Sequence, residues 1–428
     1  MAWMWAALSV IVLIYLFQEL LSPTKKKRLP PGPRGLPILG HLHLLGKNPH
    51  QDLYHLARKH GPIMGLRFGF VPAVVVSSPA GAELVLKTHD LVFANRPRNE
   101  ASKYIWYGQK DLAFGQYGPY WRNMRKLCTA ELLSNRRINQ FRAMRKVELE
   151  LLVSSLKRTA EMREIVDLSA RVSGLIGDMI CLMIFGRKYA DRDLDHEKGF
   201  KILTTEVEEF AGKFNVADYF PYIGILDLQG MNRKMKSLSK TFDKFLEKII
   251  DDHVMIKQEK KQTKDFVDTM MEIMESGKAE FQFDRRHVKA VLLDLLVAGM
   301  DTTASTIEWT LSELIRHPQE NLRLHPVGPL LIPHESTEDC VIDGYHIQKG
   351  SRTIVNVWAI GEILTRSCPG LQLGLTMAQL VISQLVHCFD WQLPNDMQPS
   401  DLDMSEHFGL AIARAKHIMA IPSYRLHK

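Results

Sequence analysis

The stretch that decides the reading is Arg366-Ser367-Cys368-Pro369-Gly370-Leu371-Gln372-Leu373-Gly374. A cysteine stands on a tight Pro-Gly turn. An apolar run continues to Phe389, with Leu375, Met377, Leu380, Val381 and Leu385 at helical spacing. A thiolate at that point lies near a helix N-terminus, where free N–H groups and the helix dipole favour negative charge. Arg366 adds a cation two residues earlier. Such a position suits a soft sulfur ligand to iron. The alternative is a small buried cysteine beside a turn, the commoner fate of a lone Cys.

Outward from this stretch, composition narrows the classes. The chain has 428 residues and 46% hydrophobic content, enough for a large core. Its five cysteines, Cys128, Cys181, Cys340, Cys368 and Cys388, have no paired spacing, which argues for a reducing compartment. The net charge is +7, with a basic run from Arg122 to Arg158. That field suits an acidic membrane surface or an acidic protein partner. No zinc-finger spacing or other nucleic-acid motif accompanies it, so nucleic acid is excluded as a partner.

Met1 to Leu21 is almost wholly apolar, with Glu19 its only charge, and Lys25-Lys26-Lys27-Arg28 comes after it. About 20 apolar residues span a bilayer, and the basic cluster keeps the C-terminal side in the cytosol. A signal peptide fits less well, because the positive charges come after the apolar stretch. The segment 22–40 contains Leu29-Pro30-Pro31-Gly32-Pro33 and reads as a basic, Pro-rich, stiff hinge.

Further along, Ile63 to Ser78 reads as two short strands around Phe70-Val71-Pro72, and Ser78-Pro79 opens a helix. Tyr120 to Ala160 is helical and basic. Trp121 and Arg125, four apart, share a face and can aim together at an anionic group such as a carboxylate. The plain alternative is an amphipathic helix with an exposed Arg. Helical patterns continue to about Ile256, and Glu259 to Lys264 is a charged connection. His287 to Arg316 is the longest helix, about 45 Å at 1.5 Å per residue. Its middle, Ala298-Gly299-Met300-Asp301-Thr302-Thr303, breaks helix rules and is expected to loosen it at a functional site. His317-Pro318 ends it. Asp343-Gly344 and Lys349-Gly350 both read as hairpin turns.

Taken in order, the features are an apolar anchor, a Pro-Pro-Gly-Pro hinge, Trp121-x-x-x-Arg125, Ala298-Gly299-x-Asp301-Thr302-Thr303, Glu320-x-x-Arg323 and Arg366-x-Cys368-x-Gly370. This order resembles the cytochrome P450 family, in its membrane-bound plant form. The resemblance implies a mainly α fold: a helical body with a small β-sheet region, preceded by a transmembrane helix. The segments are then an anchor at 1–21, the hinge at 22–40 and a monooxygenase-like domain at 41–428. It implies a b-type haem with Cys368 as the axial iron ligand. Asp301 and Thr302 would deliver protons from the distal side, and Ala298 with Gly299 would leave room beside the haem. Trp121, Arg125, Arg366 and His334 would hold the propionates, and Glu320 with Arg323 would form a buried structural pair. Asn95 to Lys110, Val327 to Leu331 and His407 to Ala411 would contact substrate. Electrons would come from NADPH through NADPH-cytochrome P450 reductase, docked on the basic helix around Arg122 to Lys126. The implied setting is the endoplasmic reticulum membrane, with a small apolar plant metabolite as substrate.

Two stretches depart from the family's pattern. Only Gln319 separates His317-Pro318 from Glu320, where the family has further helices. Before Cys368, Gly361 stands where the family has Phe, and Leu364 where it has Gly. Gly in such a bulge supplies backbone angles that Leu resists. Both losses fall on the proximal side of the haem. The competing reading is therefore a non-catalytic, membrane-anchored relative, a splice or truncated form with impaired haem binding.

Overall fold

The computed structural model describes residues 28–189, 200–256, 264–277, 279–316, 328–360 and 368–426. The expected anchor, the Glu320–Arg323 pair, Arg366 and most of the 259–264 connection lie outside these residues.

The fold is mainly helical with small sheets. The helices that matter for the site are α1 (Pro49–His60), α2 (Glu100–Tyr104), α3 (Pro119–Leu127), α4 (Arg142–Met162), α5 (Leu168–Phe185), α6 (Phe200–Gly212), α7 (Met231–Ile256), α8 (Phe266–Ser276), α9 (Arg285–Arg316) and α10 (Leu371–Cys388). α5 is apolar on nearly every face, and such a helix must be buried. It begins at Asp167, whose side chain accepts from the Ala170 N–H at 2.9 Å, and ends at Gly186 in the left-handed region.

α9 packs between α5 and α10. The approach to α5 is close. A Cβ on Gly177 would stand 3.0 Å from Met300 Cε, and one on Gly299 would stand 3.0 Å from Ile180 Cδ1. On the other side, a Cβ on Gly374 of α10 would meet Thr303 Oγ1 at 3.8 Å. Leu292, Leu293, Leu296 and Ile307 of α9 are fully enclosed. Each such side chain contributes about 1.5–3 kcal/mol of burial.

The largest sheet has four strands: β1 (Ile63–Phe68), β2 (Val71–Val76), β4 (His334–Glu335) and β7 (Arg352–Val355). Their order is β1-β2-β7-β4, with β7 parallel to β2 and antiparallel to β4. Ala73–Val76 is buried on both faces, which explains its unbroken apolar run. Between β4 and β7, β5 (Cys340–Ile342) and β6 (Tyr345–Ile347) form a hairpin across Asp343-Gly344, both at positive φ. A second small sheet joins β3 (Val166–Asp167) and β8 (Phe389–Gln392) to β9 (Met419–Tyr424). Within the described part of the hinge, Pro31 lies along β1, where the Gly65 N–H donates to its carbonyl at 2.8 Å.

Three expectations are corrected. Lys349-Gly350 turns the chain without closing a hairpin, because β7 takes β2 and β4 as partners instead of β6. The helical run from Tyr120 breaks after a wide turn at Cys128–Leu132, and Ser134 caps a new helix there. Finally, α9 runs unbroken through 298–303. Its threonines spend their hydroxyls on the helix itself: Thr302 Oγ1 donates to the Ala298 carbonyl at 2.5 Å, and Thr306 Oγ1 to the Thr302 carbonyl at 2.7 Å. This back-bonding satisfies the side chains without interrupting the helix.

Candidate functional site

The site is built where the burial of α9 is interrupted. Ala298 and Thr302, one turn apart, are exposed, and Gly299 and Asp301 are half-buried, although Val297, Met300 and Thr303 between them are buried. Burial of α9 resumes at Ser305 and Ile307. Thr302 Oγ1 donates to its own helix, so what it offers outward is a pair of acceptor lone pairs.

α10, which packs on α9 through Gly374 and Thr303, begins at Leu371, three residues after Cys368. Among the five cysteines, Cys368 alone is exposed. This overturns the plain reading of a buried structural thiol. Burial pushes the other thiols toward the protonated form: strongly at Cys128, up to about 12 at Cys181, and more mildly at Cys340 and Cys388. The first turn of α10 has no side-chain cap, and the Leu371 N–H turns back to the Cys368 carbonyl at 3.2 Å. Leu371 and Leu375, one turn apart, are 51% and 45% exposed. An exposed thiol against an exposed apolar step fits a flat apolar macrocycle whose metal takes a soft ligand.

The expected propionate holders are placed less simply. Trp121 and Arg125 do share a face of α3, with the guanidinium 5.3 Å from the indole centroid. The indole N–H, however, donates to the Leu112 carbonyl at 3.0 Å and does not aim jointly with Arg125. His334 is buried in β4, and its Nδ1–H donates to the Phe93 carbonyl at 2.6 Å. The segment after Phe93 links the two. The Glu335 N–H donates to the Asn95 carbonyl at 3.0 Å, and the Tyr117 N–H to Asn95 Oδ1 at 3.1 Å. Asn95 therefore fastens β4 to the loop that enters α3. Of the expected substrate segments, His407 to Ala411 does touch α6, since a Cβ on Gly212 would stand 2.6 Å from the Leu410 nitrogen.

Sequence reasoning missed a pair of buried acids. Asp294 of α9 lies two turns before Asp301. Its Oδ2 accepts the N–H groups of Leu112 and Ala113 at 3.1 and 3.2 Å. Asp111 Oδ2 accepts the Phe114 N–H at 2.8 Å. Burial raises Asp294 to about 7, and burial with the Asp294 charge raises Asp111 well above the carboxylate range. Asp294 thereby ties the 111–114 loop to α9, and that loop in turn holds the Trp121 indole. Part of the signal was available: Asp294 interrupts the apolar run Leu292-Leu293-Asp294-Leu295-Leu296, whereas Asp111 follows Gln109-Lys110 and gives no such mark.

A mainly helical body with an exposed thiol beside a threonine-bearing central helix defines a haem-thiolate class of protein. Comparison with known proteins agrees. Residues 30–320 and 319–362 match the family described as Cytochrome P450. Over 484 aligned positions the chain is 42% identical to Cytochrome P450 CYP736A12 of Panax ginseng, covering 95% of this chain and 96% of the relative. It is 34% identical to Norfluorocurarine oxidase of Strychnos sp, over 94% of each chain. It is 35% identical to Flavonoid 3'-monooxygenase CYP75B137 of Crocosmia x crocosmiiflora, over 93% of each. The chain belongs to the plant cytochrome P450 family: haem monooxygenases that take electrons from a reductase and act on small molecules. The first alignment is longer than the 428 residues of this chain, so the relative carries residues that the chain lacks. The family match breaks at 319–320 and ends at 362, short of Cys368.

Replacing Asp294 tests the loop anchor. Asp294→Ala orphans two buried N–H groups and should destabilise the fold by about 1–3 kcal/mol for each, whereas Asp294→Asn keeps the acceptor and should cost far less. Both carboxyls are raised above their unfolded values, so their contribution is full below about pH 4 and drains as pH rises through about 7. Melting temperature should therefore fall from pH 5 to pH 8 in the native chain and fall less in Asp294→Asn. Equal slopes would refute the raised titration of the buried Asp294 carboxyl.

Proposed function

We propose that this chain is a haem-thiolate monooxygenase that inserts one oxygen atom from O2 into a small apolar plant metabolite. Electrons come from NADPH through NADPH-cytochrome P450 reductase. The observation that carries the reading is the exposed Cys368 thiol just ahead of α10, the helix that packs through Gly374 on Thr303 of α9, next to the exposed Thr302. Relatives named for oxidising norfluorocurarine and a flavonoid support the substrate class.

In this reading the cofactor is haem b, which when bound supplies the redox iron that activates dioxygen. Cys368 ligates the iron through its thiolate. Trp121, Arg125, Arg366 and His334 hold the propionates, with Trp121 sharing its N–H between Leu112 and the new acceptor. Ala298 keeps the α9 face low enough for a flat group. Thr302 Oγ1 and the Asp301 carboxyl hold and move protons on the distal side. Glu320 and Arg323 brace the proximal side as a buried structural pair. The basic surface at Arg122 and Lys126, both exposed, receives the acidic reductase.

The body rests on the endoplasmic reticulum membrane, held by a single span at 1–21 with the domain in the cytosol. Supporting this, Tyr222, Ile225 and Leu228 are 83%, 89% and 71% exposed, and Phe70 packs edge-on to Tyr222 beside them. An apolar patch of this kind suits the lipid interface.

One observation favours a second reading, a truncated relative with impaired haem binding. The family match breaks at 319–320 and stops at 362, both on the stretch that leads to Cys368. Leu364 then stands where the bulge calls for Gly.

The reduced, carbon-monoxide-bound absorption spectrum separates the readings. A thiolate-type Soret band supports the monooxygenase, and folded protein with no haem band supports the second reading. Cys368→Ala should abolish the band, and its persistence would sink the ligand assignment. In the haem-loaded chain, Thr302→Ala should keep substrate binding but divert reducing equivalents to hydrogen peroxide; unchanged product per NADPH would count against the relay. Deleting Met1 to Thr24 should release much of the protein from vesicles in flotation. Adding Ile225→Asp and Leu228→Asp should release most of the remainder, and full retention would contradict the proposed attachment.

A further inference from the structure

α7 carries two stripes of opposite charge. Asp243, Glu247 and Asp251 recur at every fourth residue, and so do Lys236, Lys240, Lys244 and Lys248. Residues four apart share a helix face, and like charges there repel. The acidic stripe is answered by α9. Lys289 pairs with Asp243 at 2.5 Å and Glu247 at 2.8 Å, and Arg285 pairs with Glu247 at 2.6 Å and Asp251 at 2.7 Å. The Tyr107 hydroxyl also donates to Asp243, at 3.0 Å. The acids nearest the lysines along the helix are thereby taken. All four lysines are exposed, and among the described residues none makes an ion pair.

A cavity of about 520 Å³ opens between this lysine stripe, α2 and the start of α9. Its size is that of a small-molecule site. Lys240 and Lys244 of α7, Lys103 of α2, and Arg286 and Lys289 of α9 line it, and Asp243 is the one acid among them. Lys289 is buried and already satisfied by its two acids. Lys103 has Glu100 at 3.2 Å, and the Tyr104 ring holds Lys103 and Lys236 at 4.9 and 5.0 Å from its centroid. Arg286 donates to a neutral group, the Tyr107 carbonyl, at 2.9 Å. Lys240, Lys244 and Arg286 are left around one cavity as positive charges with no paired negative charge.

We propose that this cavity binds a phosphate-bearing anion, received by Lys240, Lys244 and Arg286. A carboxylate brings one negative charge, whereas a phosphate monoester brings about 1.5–2 and three strong acceptor oxygens. One such group offsets most of the surplus charge, and a diphosphate offsets all of it. Lysine supplies compact point charges and arginine a planar fork, and the two together suit a group with several oxygens. The bound anion ties α2 to α7 and α9, and α2 lies in the Asn95–Lys110 stretch that the proposed reading sets against substrate. The site uses no residue assigned to haem, nor Asp301 or Thr302, so it stands whether or not this chain holds haem. A soluble phosphate compound and a phospholipid headgroup share this chemistry.

The test is calorimetric titration of the full chain, held in nanodiscs of neutral phosphatidylcholine, with inorganic pyrophosphate. One saturable event is expected, weakening as salt rises. Lys240→Gln with Lys244→Gln should weaken it by about tenfold or more, since two charge pairs are lost. These are exposed positions on a helix, and Gln is as good a helix former as Lys, so the variant folds. Lys59→Gln with Lys146→Gln removes the same charge far from the cavity and should change the affinity by no more than about twofold, because distant charges are screened. Amide hydrogen exchange then separates the two sources. Slowing at residues 103–107 when pyrophosphate is added to neutral discs assigns the cavity to a soluble phosphate. Slowing there only in discs containing phosphatidic acid, and lost in the Lys240/Lys244 variant, assigns the same site to a lipid headgroup. Absence of slowing in both arms overturns the proposal. So does a pyrophosphate affinity that is indifferent to Lys240 and Lys244, or one that falls equally in the remote pair.

Discussion

The structure depends on how closely α5 and α9 approach. Gly177 and Gly299 remove the side chains that would hold the two helices apart, and Met300 and Ile180 fill the space that is left. α10 closes the other side through Gly374 against Thr303. With its neighbours this near, α9 keeps its helical hydrogen bonds through a sequence rich in Gly, Asp and Thr, residues that cost helix stability in isolation. Packing supplies what propensity withholds. The chemically useful residues are tolerated because they occupy the one face of α9 that neither α5 nor α10 covers.

Acid groups on α9 then do different work according to depth. Asp294 is fully enclosed and acts as an anchor, accepting two backbone N–H groups from the 111–114 loop. Through Leu112, which accepts the Trp121 indole N–H, that anchor also sets the first turns of α3. Asp301, two turns on, is half-buried and has access to water.

Much of this was legible in the sequence because local rules carried it. The strand pair at Ile63–Ser78, the Ser78 cap, the length of α9 and the Asp343-Gly344 hairpin each arise from neighbours a few residues apart. What failed to read were pairings between distant segments. Lys349-Gly350 has the composition of a hairpin turn, but β7 finds a better-buried partner in β2, nearly 300 residues earlier by the register of Val74 with Thr353. Trp121 and Arg125 share a face as their spacing says, yet the indole is claimed by Leu112, which spacing cannot reveal. Asp294 shows only as an isolated acid in an apolar run, and Asp111 not even as that, until the fold places them together.

The surface of α10 bears most directly on which functional reading holds. Its sequence is apolar enough to cross a membrane, yet only 33% of that window is buried, against 67% for α5 and 61% for α9. Leu371, Leu375 and Val386 stand exposed along it. Burying a leucine contributes about 1.5–3 kcal/mol, so a helix left this open forgoes several kcal/mol of stabilisation. Marginally stable folds do not tolerate many such losses. In the proposed reading, a flat apolar group held at Cys368 would cover the N-terminal turns. Ligation and cover are then coupled, because Cys368 stands just ahead of the helix whose first turns need the cover. A ligand bound only by the folded state would return part of the missing stability by mass action. A chain that cannot hold it loses that contribution and the covered surface together. In the proposed reading, haem binding and the burial of α10 would therefore be linked through how well Cys368 is presented ahead of the helix.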